Sequence, residues 1–154
     1  MSSIGSEKER WITTKAKLAE DKISLLGDCI LSAAFITYLG PFEGTYRMKI
    51  MRETWQPLIS AYQIKQTTNF SLKEILGEVN QLAEWGINGL PNENVSYENM
   101  IIIEESKRKM YPVLIDPQGQ ALKYFRDYLG RKHKDLISTK ITQPNAIGQI
   151  EKAI

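Results

Sequence analysis

The sequence predicts an α/β chain, a helical N-terminal extension leading into a partial unit of alternating strands and helices. Three observations predict it. The N-terminal part is rich in helix formers with apolar residues at helical spacing. Short β-branched runs appear only later, at Met100–Ile103, Val113–Ile115 and Leu136–Ile141. Helical patterns at 120–129 and 146–154 alternate with the last two of these runs. Helices first, then strand alternating with helix, is the order of an α/β unit with a helical extension. About three strands are few for a doubly wound sheet, so the sheet looks cut off in its middle.

The first element is "GSEKERWITTKAKLAEDKISLL". Ile4, Trp11, Leu18 and Leu25 recur every seven residues, one apolar row of a coiled coil. Glu7, Thr14 and Asp21 stand where the second row belongs. The pattern fits a helix leaning on a partner along a narrow stripe, and equally a plain amphipathic surface helix. Gly27-Asp28 predicts a break or an N-cap. "CILSAAFITYL" at 29–39 then reads as a helix buried on several sides, too short to span a bilayer. Cys29, inside that run, reads as a buried structural thiol. Gly40-Pro41 stops the helix, which divides the chain into 1–41 and 42–154.

Arg47 to Tyr62 predicts a helix with Ile50, Met51, Trp55, Leu58 and Ile59 on one side, kinked or split at Pro57. "SLKEILG" predicts a short helix capped by Ser71, with Glu74 as reciprocal partner and Gly77 as the stop. "NQLAEWGING" predicts another with a glycine stop. Met100–Ile103 reads as a buried strand and Val113–Ile115 as a second. A helix covers 120–129. "KDLISTKI" reads as a third strand, and a helix from Ala146 to Ile154 follows.

The chain has 154 residues, 42% hydrophobic and 25% charged, with a net charge of +2. That composition is ordinary for a globular domain. The clusters Lys107-Arg108-Lys109 and Arg131-Lys132-His133-Lys134 read as solvated turns rather than a nucleic-acid surface. A single cysteine cannot form an internal disulfide, which fits a reducing compartment. No secretory leader pattern is present at the N-terminus. The lone His133, with no metal-ligand spacing, Cys–His pair or nucleophile motif, leaves catalysis without candidates. Glu104 and Glu105 end an apolar run, but before the loop described next, and read as a solvated segment end.

That loop is "DPQGQALK", residues 116–123, between a strand pattern and a helix pattern. A phosphate loop reads G-x-x-x-x-G-K-[ST]. Its glycines let backbone amides wrap phosphates, its lysine neutralises them and its hydroxyl binds Mg²⁺. Here Asp116 falls on the first glycine, Ala121 on the second, Leu122 on the lysine and Lys123 on the hydroxyl. A carboxylate repels phosphate and a leucine carries no charge. By residue chemistry this is a poor nucleotide site. From this motif alone, a tight turn built by Pro117, Gln118 and Gly119 and leading through Gln120 into a helix is the better account.

In this order, "SEKERW" (6–11), "GDCILSAAFITYLGPF" (27–42), "GLPNENVSYEN" (89–99), "YPVLIDPQGQA" (111–121) and "IGQIEKAI" (147–154) resemble the dynein heavy chain where its stalk meets the fifth AAA+ module of the motor ring. The resemblance covers nearly the whole chain. It implies a stalk-base coiled-coil helix and linker helix over 1–41. Over 42–154 it implies a partial AAA+ αβα subdomain, truncated before the Walker B strand, with a vestigial phosphate loop. It further implies a structural coupling module with no catalysis and no metal or cofactor of its own, ATP and Mg²⁺ belonging to other modules. The implied partners are neighbouring AAA+ modules and a partner stalk helix, with the microtubule reached only through a remote tip and no nucleic acid or membrane. The implied location is the cytoplasm and cytoskeleton, or a ciliary or flagellar axoneme. Two rivals remain from the residues. An active phosphate-loop ATPase needs a lysine where Leu122 stands, and an unrelated coiled-coil scaffold needs a longer heptad pattern.

Overall fold

The computed structural model describes the backbone of residues 2–107 and 109–153, with the side chains of 2–6 and 20 outside the described set. Among the described residues there is no strand. Helix α1 spans Ser2–Ala34 and runs directly into a π-helical turn, π1, at Phe35–Leu39. Gly27 and Asp28, expected to break the chain, lie inside α1. A Cβ on Gly27 would collide with the carbonyl oxygen of Lys65. The glycine therefore lets a loop cross directly against the helix backbone, a close approach that only glycine allows. Asp28 caps that loop rather than a helix.

The segment 29–39 is buried on one side only. Leu31, Phe35 and Leu39 are 1%, 2% and 1% exposed. Residues four apart drift about 40° around an α-helix, and the wider turn of π1 brings Leu39 back toward the side held by Leu31. On the opposite side Cys29, Ile30, Ala33, Thr37 and Tyr38 face solvent, so Cys29 is not the buried thiol expected. The apolar stretch is also longer than expected. Asp21–Leu39, 19 residues of mean hydropathy 1.5, is long and apolar enough to cross a membrane by length and composition. Part of that apolarity faces the core, and much of the rest forms an exposed row described below.

Helix α2 (Gly44–Ile50), a second π-helical turn π2 (Met51–Trp55) and α3 (Gln56–Ala61) follow one another without a gap. Pro57 sits in the first turn of α3. A proline inside a helix lacks a donor and crowds the preceding turn, and the wider π2 stands where that crowding falls. The expected kink or split takes the form of this change in helix type.

Helix α4 (Leu72–Leu76) begins after Ser71 and stops at Gly77 as expected, but Ser71 makes no side-chain cap. Its carbonyl, not its hydroxyl, accepts the amides of Glu74 and Ile75. Helix α5 (Val79–Ile87) ends at Asn88, before Gly89 at a φ of +92°. Helix α6 (Asn94–Ser106) contains Met100–Ile103, the first expected strand. Tyr97, Met100 and Ile101 are its buried apolar residues, spaced three and four apart as on one helix face. Helices α7 (Gln120–Lys132) and α8 (Ala146–Ala153) lie where the sequence places them.

The other two expected strands do not form. Residues 111–116 and 136–140 have no regular structure, and Val113, Ile115 and Ile141 are 91%, 84% and 89% exposed. A strand exists only through hydrogen bonds to a neighbouring strand, and none is present here. The core lies where α1 packs on α4, and α4 and π1 pack on α6. Phe35 meets Phe70 with ring centroids 6.4 Å apart, and Leu72 and Trp85 are almost fully enclosed. Helix α7 is tied to α5 by Lys132, whose Nζ lies 2.7 Å from Glu84 Oε1 and donates to the Tyr128 hydroxyl at 2.6 Å. Burial first, and the neighbouring Tyr128 second, push the Tyr124 hydroxyl up to about 12.

Candidate functional site

The long helix is fastened to the rest of the chain at two polar joints. At the first, the Asp28 carboxylate accepts the Thr67 amide at 2.8 Å and the Thr67 hydroxyl at 2.7 Å. Asp28 is 5% exposed, so both bonds are shielded from water. The same loop is tied to α3. Gln56 donates to the carbonyls of Thr67 and Thr68, each at 3.2 Å, and Gln66 donates back to the Gln56 carbonyl at 2.8 Å. Together, Gly27 allows the loop to come close, Asp28 holds it, and the loop passes the hold to α3.

At the second joint, Arg47 of α2 is 2% exposed and makes four hydrogen bonds. Its Nε donates to the Phe42 carbonyl at 2.8 Å and its Nη2 to the Gly40 carbonyl at 2.9 Å. These carbonyls lie just past the end of π1, where a helix leaves acceptors unpaired. The other contacts reach α6: Nη1 to Glu98 Oε2 at 3.1 Å and Nη2 to Asn99 Oδ1 at 2.7 Å. Burial pushes the Glu98 carboxyl above its ordinary range, and the hydrogen bond and charge of Arg47 pull it back in part. Sequence reading passed over Arg47, Asp28 and Glu98 as functional residues. An arginine among the apolar positions of a helix was the one available signal.

Before these joints α1 stands apart from the core. Trp11, Leu18 and Leu25 are exposed at 70%, 62% and 56%. The side chain of Ile4, their companion in the expected stripe, lies outside the described residues. A fuller pattern runs along another side of α1. Ile12, Ala16, Ala19, Ile23, Leu26 and Ile30 are spaced 4-3-4-3-4, the repeat of a complete coiled-coil seam, and all are exposed. The stripe through Trp11, Leu18 and Leu25 has one apolar row, whereas this pattern has two. By the helical step of about 100° per residue, this seam lies about 150° around α1 from the side that holds Asp28, Leu31 and Ser32.

The loop at 116–123 is closed on itself. Gly119 turns the chain with a φ of +72°. The Asp116 carboxylate then accepts the amides of Gln120 at 3.0 Å and Leu122 at 2.9 Å. First-turn amides of a helix are the groups that hold a phosphate, and here the chain's own carboxylate takes two of them. Leu122 is 54% exposed and brings no charge, while Pro117, Gln118 and Lys123 are exposed and Ala121 half-buried. Glu104 lies in α6 within salt-bridge reach of Lys107. Among the described residues no group of His, Cys, Asp or Glu could hold a metal ion.

Residues 1–59 match the family model described as the microtubule-binding stalk of the dynein motor, and residues 83–154 match the ATP-binding dynein motor region. The chain belongs to the dynein heavy-chain family. The stalk match takes in α1, π1 and the following helical run as far as α3, and the motor-region match begins inside α5 and takes in the 116–123 loop. Mouse dynein axonemal heavy chain 2 is 36% identical over 141 residues, which is 92% of this chain and 3% of that protein. Dynein heavy chain-like protein 1 of Plasmodium falciparum is 34% identical over 154 residues. The Chlamydomonas reinhardtii dynein-1-beta heavy chain of the flagellar inner arm I1 complex is 32% identical over 157 residues, covering 100% of this chain. The chain thus spans about 3% of the length of the dyneins it matches.

Proposed function

We propose that this chain is the mechanical joint between the stalk and the ring of an ATP-driven microtubule motor, and that it performs no chemistry itself. One observation carries this reading. A single helix runs from the exposed stalk-matching segment into the core without interruption, and two buried polar joints fasten it there. A continuous helix transmits displacement along its axis. Packed contacts with discrete arrangements pass it on, here through the 63–69 loop to α3 and through Arg47 to α6.

The 116–123 loop binds no nucleotide in this reading, because Asp116 occupies its amides and Leu122 replaces the cation; the ATP and Mg²⁺ that drive the motor bind elsewhere in the heavy chain. The segments 113–115 and 136–141 become strands of an AAA+ α/β sheet when neighbouring parts of the heavy chain supply their partners. Their exposed apolar side chains support this. The working location is the cytoskeleton, including a ciliary or flagellar axoneme, in keeping with the names of the relatives.

Inserting two glycines after Leu26 in the intact motor tests the joint. Microtubule stimulation of ATP turnover should fall while basal turnover is nearly kept. Unchanged stimulation would show that the helix does not carry the signal.

A further inference from the structure

We infer that the partner helix of α1 packs on the Ile12–Ala16–Ala19–Ile23–Leu26–Ile30 seam, and that it carries acidic residues along one flank. This rests on the stalk reading above and adds which face is used and what the partner must look like.

The face follows from the repeat. In the heptad set by this seam, Ala16, Ile23 and Ile30 fall on the a positions and Ile12, Ala19 and Leu26 on the d positions. A seam of two apolar positions in seven is the narrow stripe of a coiled coil, not the broader face of a helix packed on a core. Ala16 and Ala19 lie together in the middle, which lets the two backbones approach there. The row Trp11–Leu18–Leu25 stands about 120° away around the helix, too far to join the same seam.

The charge of the partner follows from the flank. Three successive g positions are lysines, Lys8, Lys15 and Lys22, all facing solvent; the next, at the joint, is Cys29. The e side carries no such row, with Thr13 and Gly27 on either side of Glu20. None of the three lysines has an acidic residue three or four positions away on α1, where an intrahelical ion pair would form. Residues at e and g choose the partner by charge, and like charges opposed across the seam are destabilising. A helix from elsewhere in the heavy chain, with Asp or Glu recurring every seventh residue on the facing flank, satisfies the row. A second copy would satisfy the row poorly: paired in parallel, only Lys15 would meet an acid, Glu20, while Lys8 would face Thr13 and Lys22 would face Gly27, and paired antiparallel the lysines would face one another.

Hydrogen exchange on the full heavy chain tests the assignment. Four forms are compared: wild type, Lys8→Glu/Lys15→Glu/Lys22→Glu, Ile23→Glu and Leu18→Glu. Lysine and glutamate have similar helix propensity, so the triple change acts through the partner. In the wild type the amides of residues 8–26 should exchange slowly. The triple variant should exchange there on the order of tenfold faster, from three lost ion pairs and the repulsion that replaces them. Ile23→Glu should raise exchange further, and Leu18→Glu should leave it near the wild-type rate. Protection lost with Leu18→Glu but kept with Ile23→Glu would place the partner on the other row. Protection unchanged in the triple variant would overturn the acidic row, and protection that falls on dilution would mean a second copy. Free exchange over 8–26 in the wild type would instead refute the paired-stalk reading itself.

Discussion

Replacing Arg47 with methionine keeps most of the aliphatic stem and removes the guanidinium. Four acceptors then lose their donor: the carbonyls of Gly40 and Phe42, Asn99 Oδ1 and Glu98 Oε2. The ion pair has side-chain exposures of 3% and 11%, so its loss strands a carboxylate in a largely enclosed site. Breaking such a pair from one side costs about 3–5 kcal/mol. Set against a typical total of about 5–15 kcal/mol for a domain, this is a loss that urea unfolding followed by circular dichroism resolves easily. The pH dependence carries a second signature. In the variant the causes that lower the Glu98 pKa are gone and burial alone raises it. A carboxyl raised in the folded state binds its proton more tightly folded than unfolded. Its penalty is absent below the unfolded value and grows as pH rises through the folded one. The variant should therefore gain stability as pH falls from 7 toward the ordinary carboxyl range, more steeply than the wild type. Adding Glu98→Gln should restore about 1–2 kcal/mol, since a neutral amide costs less to leave buried. A loss below about 1 kcal/mol for Arg47→Met, or a double variant no more stable than the single, would refute the keystone role.

Gly27→Ala gains about 1 kcal/mol of helix propensity but forces the 63–69 loop away. A net loss of about 1 kcal/mol is expected from overpacking, and a rise in thermal stability would contradict the close approach. Calorimetric titration with Mg²⁺–ATP should give no saturable low-micromolar binding. Asp116→Ala should remove about 1 kcal/mol of helix capping without creating a nucleotide site, because Leu122 still stands where the cation belongs. Cys29 should be alkylated in the folded chain nearly as fast as in urea, and strong protection from the reagent would put it inside the core. In the 154-residue chain alone, hydrogen exchange should be fast over 2–26 and slow over 31–39; uniform protection along the whole helix would mean that it needs no partner.

The elements legible in the sequence are those whose ends and faces are set locally. Helices α5, α7 and α8 have their own periodicity, and glycines close α4 and follow α5. Met100–Ile103 was misread because three consecutive isoleucines outweigh, by propensity, the spacing of Tyr97, Met100 and Ile101. Packing against π1 and α4 decides that segment, and tertiary context overrides a weak local preference. Val113–Ile115 has strand composition but no neighbour, and strand pairing cannot be read from the strand itself. Gly27 and Asp28 have the local chemistry of a helix break, yet both are used by a loop some forty residues further on. Of the expected site, the substitutions in the phosphate-like loop were visible from their positions. The reason the loop is closed, a carboxylate turned back on its own amides, needed the geometry.

The continuity of α1 through Gly27 bears on what the joint can do. A glycine inside a helix weakens it by about 1 kcal/mol relative to alanine, and at an exposed position it would be a natural hinge. Here it is covered by Lys65 and Gln66 and followed at once by Asp28, which is bound to the same loop. Bending at Gly27 would pull Asp28 from two hydrogen bonds in a shielded site, a cost larger than the glycine alone imposes. The hinge is thus locked for as long as the loop stays in place. Beyond it, the C-terminal end of the helix is held by Arg47 rather than by a cap of its own. A displacement arriving along α1 therefore meets the Asp28–Thr67 joint before the Arg47 cluster, and the first joint is smaller, nearer the surface and made by a loop. Its rupture would leave α1 attached only through Arg47 and the apolar side of π1, free to pivot at Gly27. The order of these two joints along one helix distinguishes a lever that slides from one that swings: sliding strains both, whereas swinging requires only the first to open.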